Sequence, residues 1–178
     1  VHRENQVKVL DILRRHLDML KGGGLANLAN GAQIISLLLS DVVGDSLETI
    51  ASGPTVPDPT TLADSILILD KYELRNKIPA LILPSLAETL KPDAPLFRKI
   101  QNTIVASNSI GLQAAQAQMQ LLGFDTKIVD TNLQGEASVL GRKLALQLKD
   151  ELQRMHRPFC LLAGGEATVT LKGNGKGG

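Results

Sequence analysis

The sequence predicts an α/β fold, a doubly wound and mostly parallel sheet flanked by helices. Three observations carry this. Short runs of branched and leucine residues, such as Ile34-Ile35-Ser36-Leu37-Leu38-Leu39, end in small polar residues, as strands buried on both faces of a parallel sheet do. These runs alternate with segments of helical apolar spacing, which makes right-handed crossovers the expected connection. The composition, 43% hydrophobic with 16 glycines in 178 residues, suits one sizeable core. The expected winding is Rossmann-like.

Residues 5–20 place Val7, Val9, Leu10, Ile12, Leu13, Leu17 and Leu20 at the spacing of an amphipathic helix. Arg14, Arg15, His16 and Lys21 give it a basic C-terminal end that complements the helix dipole. Lys21-Gly22-Gly23-Gly24 reads as its stop, with glycine in the left-handed cap. The same turn could offer lysine charge and glycine amides to an anion, although the GxxxxGK[ST] pattern is absent. Residues 25–32 read as a loop and 34–40 as a buried strand.

The loop that follows, Ser40-Asp41-Val42-Val43-Gly44-Asp45 and then Ile50-Ala51-Ser52-Gly53-Pro54-Thr55-Val56-Pro57-Asp58, is dense in carboxylates, hydroxyls, glycine and proline. Ligands of open α/β sheets bind beyond the carboxyl ends of strands, so this is the candidate site. Each of its residues also has a plain structural use in caps and turns.

Leu62 to Tyr72 reads as a helix capped by Thr60 or Thr61, Pro79 to Leu90 as a second with Pro84 near its first turn or at a break, and 91–98 as a surface connector. Beyond residue 102 we expect strand Thr103–Ala106, helix Ile110–Leu122, strand Thr126–Val129, helix Gly135–Met155 and strand Phe159–Ala163, the last ending in Gly164-Gly165-Glu166. Ala167 to Lys172 alternates as a further, half-exposed strand would. If the strands are parallel, Asp41, Asp45, Asn108 and Glu166 share one sheet edge. Oxygen donors of that kind suit Mg²⁺, and the glycine turns suit phosphate. Asn108 is equally a natural N-cap, and Glu166 could be an exposed turn residue. His16 reads as a helix-end residue rather than a base.

Net charge is +1, from 19 basic and 18 acidic residues, and there is one Tyr and no Trp, so neither nucleic acid nor a membrane surface is an expected partner. No apolar segment is long enough to cross a bilayer, and Val1-His2-Arg3-Glu4-Asn5 is not a signal peptide. Cys160, the single cysteine, is expected buried and reduced. The opening Val1 and the closing Gly-Asn-Gly-Lys-Gly-Gly suggest a piece of a longer chain.

Five segments in order, Arg15-His16-Leu17, Lys21-Gly22-Gly23-Gly24-Leu25-Ala26, Ser40 to Asp45, Ile50 to Asp58 and Gly164-Gly165-Glu166-Ala167-Thr168-Val169-Thr170, resemble the glycerate kinases of the hydroxypyruvate-reductase-associated type, with their MOFRL-type C-terminal domain. The resemblance covers nearly the whole chain. It implies transfer of a phosphoryl group from ATP, with Mg²⁺, to D-glycerate, giving 2- or 3-phosphoglycerate. It implies residues 1–157 as a Rossmann-like core domain and 158–178 as the start of the second domain. Carried over by position, Lys21, Asp41 and Asp45 would be catalytic. Gly22, Gly23, Ser52, Gly53, Thr55 and Asn108 would contact substrate, and Gly164, Gly165, Glu166 and Thr168 the nucleotide. Asp41, Asp45 and Glu166 would hold metal. A cytoplasmic or mitochondrial setting and a homodimer are compatible with it.

The chain departs from the family at Asp18, where serine is usual, and at Gly24, where arginine is frequent. A lysine-bearing Gly-rich segment earlier in the family and an Arg-Asn-Gln-Glu stretch after the final Gly-Gly are both absent. The expectation is therefore that this polypeptide alone lacks kinase activity. A non-catalytic module that binds a nucleotide or a sugar acid is the alternative.

Overall fold

The computed structural model describes residues 3–154 and 158–173. It is an α/β structure with parallel strand pairing and flanking helices, in two compact units, Val1–Val105 and Ala106–Gly178. This division concerns packing and is a separate matter from the family-domain boundary expected at 157/158.

In the first unit, α1 (Arg3–Leu17) packs against α3 (Leu62–Lys71) and against a 3₁₀ turn, Ile50–Ser52. α3 begins where sequence placed it. Thr61 is its N-cap, accepting from the Asp64 amide, while the Asp64 carboxylate accepts from the Thr61 amide at 2.8 Å, a capping box. The segment 25–32, expected as a loop, contains α2 (Gly24–Leu28). Gly23 is its N-cap with φ 84°, so the glycine run starts a helix; α1 has already stopped at Leu17. The helix expected over Pro79–Leu90 shrinks to α4 (Ile82–Ser85), because Leu86 turns extended, with ψ 127°.

Strand β1 (Ile34–Ser40) is where sequence placed it and pairs with β2 (Ile100–Ser107). It is not buried on both faces. Ser36 faces inward and donates to the Thr55 hydroxyl, whereas Ile35, Leu37 and Leu39 stand 63–73% exposed. Apart from Ser36 the run is apolar up to Leu39, so it carries no alternation to separate the two cases. The apolar core of this unit is Ala26, Ile50, Ile68 and Leu69.

In the second unit, α5 (Asn108–Leu121) and α6 (Ala137–Arg154) pack against a parallel pair, β3 (Asp125–Glu136) and β4 (Phe159–Thr168). Both strands run farther than expected. Register pairs Asp125 with Phe159 and continues, through irregularities around Asp130, to Glu136 with Thr168. Residues 164–168 are thus strand rather than turn, and 169–172 form no separate strand. The expected single sheet is instead two two-stranded sheets among the described residues. Cys160 is half-buried and free.

Candidate active site

The carboxyl end of β1 leads through Asp41 and a turn closed by the Asp45 amide on the Val42 carbonyl, 3.1 Å. Asp45 takes a left-handed φ of 53° and Gly44 one of 80°. The Asp41 and Asp45 side chains make no hydrogen bond or ion pair among the described residues, which leaves both carboxylates available on this loop. The chain then enters a turn in which Ala51, Ser52 and Gly53 are all left-handed, at φ 51°, 61° and 65°. Such backbone persists only where surrounding structure holds it.

The hold comes from the glycine turn and from α1. The Gly22 amide donates to the Ser52 carbonyl (3.0 Å) and the Gly23 amide to the Gly53 carbonyl (2.8 Å). The buried Ser52 hydroxyl donates to Asp11 of α1 at 2.9 Å. The expected residues Gly22, Gly23, Ser52 and Gly53 are therefore brought together, but through each other. The two glycine amides point at backbone carbonyls rather than at an anion. Their lack of a side chain is needed too. A Cβ on Gly22 would lie 3.2 Å from the Arg15 Cβ and 3.1 Å from the Thr89 methyl, and one on Gly23 2.8 Å from the Phe97 ring. Thr55 is likewise committed. Its hydroxyl donates to Asn102 Oδ1 (2.5 Å) and accepts from Ser36 (3.2 Å).

Lys21 lines an open cleft together with Arg14, Leu17 and Asp18, about 540 Å³ in volume. Its ammonium is 3.1 Å from an Asp18 carboxylate oxygen. A hydrogen bond from the Leu20 amide (2.8 Å), reinforced by one from Lys21, holds the Asp18 carboxyl below its usual range. The departure at Asp18 thus places a carboxylate on the lysine that would face an anionic substrate.

Behind the loop sits a buried polar cluster that local sequence reasoning missed. The Asp58 side chain is fully buried and accepts from Arg15 Nη1 (3.1 Å), the Thr60 amide (3.0 Å), the Thr60 hydroxyl (2.8 Å) and the Thr89 hydroxyl (3.0 Å). Burial raises its carboxyl, but the hydrogen bonds from Thr60 and then Arg15 outweigh that and hold it below the ordinary value. His16 is also fully buried. Its Nδ1 donates to the Ala87 carbonyl at 2.7 Å, and its Nε2 is 3.7 Å from Asp58 Oδ2. It stands at the helix end, as expected, in the last turn of α1, and it is also an internal clasp. Lys91 closes the cluster on the Thr89 hydroxyl (2.9 Å) and the Thr60 carbonyl. The i, i+4 spacing of Asp11 and Arg15 is a signal of a shared helix face. The partner at Asp58, 43 residues on, leaves no local trace.

In the second unit, Ser107 caps α5 by accepting from the Ile110 amide, so Asn108 is not the N-cap. Asn108 Nδ2 donates instead to the Thr131 carbonyl of β3. Its amide occupies the space that a Cβ on Gly164 would need, and the Leu133 backbone does the same at Gly165. Asn108, Gly164 and Gly165 are thus brought together by packing. Glu166 pairs in register with Gln134 and is exposed, and Thr168 pairs with Glu136. Asp41 and Asp45, in the loop after β1, belong to one unit; Asn108, at the start of α5, and Glu166, on β4, belong to the other, and β1 and β4 lie in different sheets. No group of three or more His, Cys, Asp or Glu side chains among the described residues is placed to hold a metal ion. The Asp41 and Asp45 oxygens alone have the chemistry of a Mg²⁺ site that shares its ion with a substrate.

Residues 2–87, which contain the loop, the glycine turn and Arg15, His16, Asp58 and Thr60 of the buried cluster, match a family model described as a domain of unknown function, DUF4147. The chain is 40% identical to a glycerate 2-kinase of Pyrococcus horikoshii, over 97% of this chain and 41% of that protein. It is 38% identical to a glycerate kinase of Bos taurus over the same shares. A crystal structure of a glycerate kinase from Thermotoga maritima superposes with a TM-score of 0.81 at 32% identity, covering 97% of this chain and 41% of that one. The chain belongs to the glycerate kinase family. It spans about two fifths of the length of these relatives. The loop with free carboxylates and the cluster that braces it both lie in the first unit, most of which the matched model covers.

Proposed function

We propose that the chain carries the glycerate-handling loop of a kinase that phosphorylates D-glycerate with ATP and Mg²⁺. The observation that carries this is the pair Asp41 and Asp45, unpartnered at the carboxyl end of β1 on a loop braced from behind. Similarity to proteins named glycerate kinase over 97% of the chain supports it. In this reading Asp41 and Asp45 orient the substrate hydroxyl, and Lys21, once released from Asp18, faces the substrate carboxylate. Mg²⁺, when bound, would neutralise phosphate charge, and catalysis would rest on positioning. The Pyrococcus relative's name favours the 2-hydroxyl as acceptor. Because Ser52 and Thr55 spend their hydroxyls inside the protein, their part is to shape the loop. The nucleotide contacts of Gly164, Gly165, Glu166 and Thr168, a homodimer, and a cytoplasmic or mitochondrial setting belong to the same proposal. Among the described residues no helix is long and apolar enough to cross a membrane.

The internal commitment of both glycine amides and both hydroxyls favours a second reading, a module that binds a sugar acid without turnover. Calorimetric titration with D-glycerate, and separately with Mg·ATP, tests the first. We expect D-glycerate to bind and Asp41→Asn to abolish it while circular dichroism is unchanged. Undiminished binding by that variant would remove the loop from the site. In a longer chain that carries this segment, binding without phosphoglycerate formation in a coupled assay would favour the module.

A further inference from the structure

Arg15 does two jobs at once. Its guanidinium, on the last turn of α1, is 8% exposed. Nη1 donates to Asp58 at 3.1 Å, and Nη2 reaches the other way to donate to the Glu48 carbonyl at 2.8 Å. Nε is buried without a hydrogen-bond partner among the described residues. An unpaired buried donor opposes folding, so the side chain is held by its two outer nitrogens at the expense of the third. If the need were only for a positive charge beside Asp58, the point charge of a lysine would meet it, without a fork that reaches a second acceptor.

The Glu48 carbonyl is the unusual acceptor. No backbone amide among the described residues donates to it, so Arg15 satisfies it alone. It packs directly on Gly53, 3.3 Å from where a Cβ would sit. It therefore borders the turn Ala51–Gly53, whose three left-handed residues need an external hold. The amides of Thr49 and Ile50 both donate to the Ser46 carbonyl, one residue beyond Asp45. A guanidinium fixed on Asp58 at one end thus fixes, at the other, the segment that continues into Asp45.

We infer that Arg15 is a positioning residue for the Asp41–Thr55 loop, acting as a two-ended strut between the buried Asp58 carboxylate and the Glu48 carbonyl. Its effect on substrate rests on the glycerate-binding reading above; the strut itself does not. The test is Arg15→Lys in this 178-residue chain. Lysine retains the pair with Asp58 and deletes the orphaned Nε–H, but it cannot span both acceptors. Amide hydrogen exchange at Ser52 and Gly53 is expected to speed up about tenfold, the worth of one hydrogen bond from a charged group. Exchange at Leu69, in the apolar core, is expected to stay constant, and D-glycerate affinity to fall about tenfold as well. A merely structural Arg15 would move all amides together. Unchanged exchange at Ser52 and Gly53, or a change matched at Leu69, overturns the strut. Absence of D-glycerate binding by the unaltered chain overturns the glycerate reading instead, and the exchange comparison still decides the strut. Should Arg15→Lys fail to fold, Arg15→Met with Asp58→Asn removes the strut without leaving a buried charge unpaired, and the same local exchange result is required.

Discussion

Replacing Asp58 by asparagine keeps the shape of the side chain and removes its charge. The Asp58 carboxylate is fully buried and faces Arg15 at 3.1 Å. Removing one partner of a buried ion pair costs about 3–5 kcal/mol, because the other charge is left uncompensated. The new amide also brings a donor into a site built from donors: Thr60 N–H, Thr60 O–H, Thr89 O–H and Arg15. The hydroxyls can rotate to accept, so most of the cost is the orphaned guanidinium. With total stabilities of about 5–15 kcal/mol for folded proteins, about a fifth or more of the margin would be lost. In urea, with a slope of about 2 kcal/mol/M, the midpoint at pH 7 should fall by about 1.5–2.5 M.

The pH dependence supplies a second constraint. The Asp58 carboxyl is held below its ordinary value of 3.8 in the folded protein. The unfolded chain then binds the proton first, and the stabilisation, complete above the ordinary value, is lost as pH falls through 3.8 and below it. Asparagine has no such proton to bind. The gap between the two proteins should therefore be full at pH 6–7 and narrow as pH falls below 4. Urea titrations followed by circular dichroism at pH 7 and at pH 3.5 measure both quantities. A midpoint shift under about 0.5 M at pH 7, or a gap that stays constant into acid, would refute the assignment of Asp58 as the charged hub.

Two further substitutions test the packing beside the site. Gly23→Ala should cost about 1–2 kcal/mol for a left-handed alanine and about 1–3 more for the crowding against Phe97 and the Val56 carbonyl, read as a lower urea midpoint. Gly164→Ala should destabilise by driving a methyl into the Asn108 amide; in an Asn108→Ala background the cost should largely vanish. That non-additivity, of about 1 kcal/mol or more in a double-mutant cycle, would be missing if the contact does not exist.

Much of the molecule was readable where the determinant is local. The run Ile34–Ser40, the Thr61 cap of α3 and the start of the strand at Asp125–Thr126 follow from spacing and capping chemistry within a few residues. Length was harder. β4 continues through Gly164 and Gly165, which look like a turn in isolation, because a parallel partner and a close Asn108 make glycine a requirement of packing. The helix expected over Pro79–Leu90 failed for a related reason. The Ala87 amide is taken by the His16 carbonyl and the Leu90 carbonyl by the Asp58 amide, tertiary bonds that compete with helical ones.

By itself the sequence determined the fold class, the strand that leads to Asp41 and Asp45, and a glycine turn after the first helix. Periodicity, caps and a dense polar loop after an apolar run are all written within a few residues of each other. Only the tertiary structure decided what those residues spend their polar groups on. Gly22 and Gly23 donate to Ser52 and Gly53, Thr55 to Asn102, and Ser52 to Asp11, so these predicted ligand contacts are turned inward. The cluster of Arg15, His16, Asp58 and Thr89 joins positions tens of residues apart. A buried charge is tolerable only with its partners in place, and those partners are chosen by how the chain packs, not by how it is spelled.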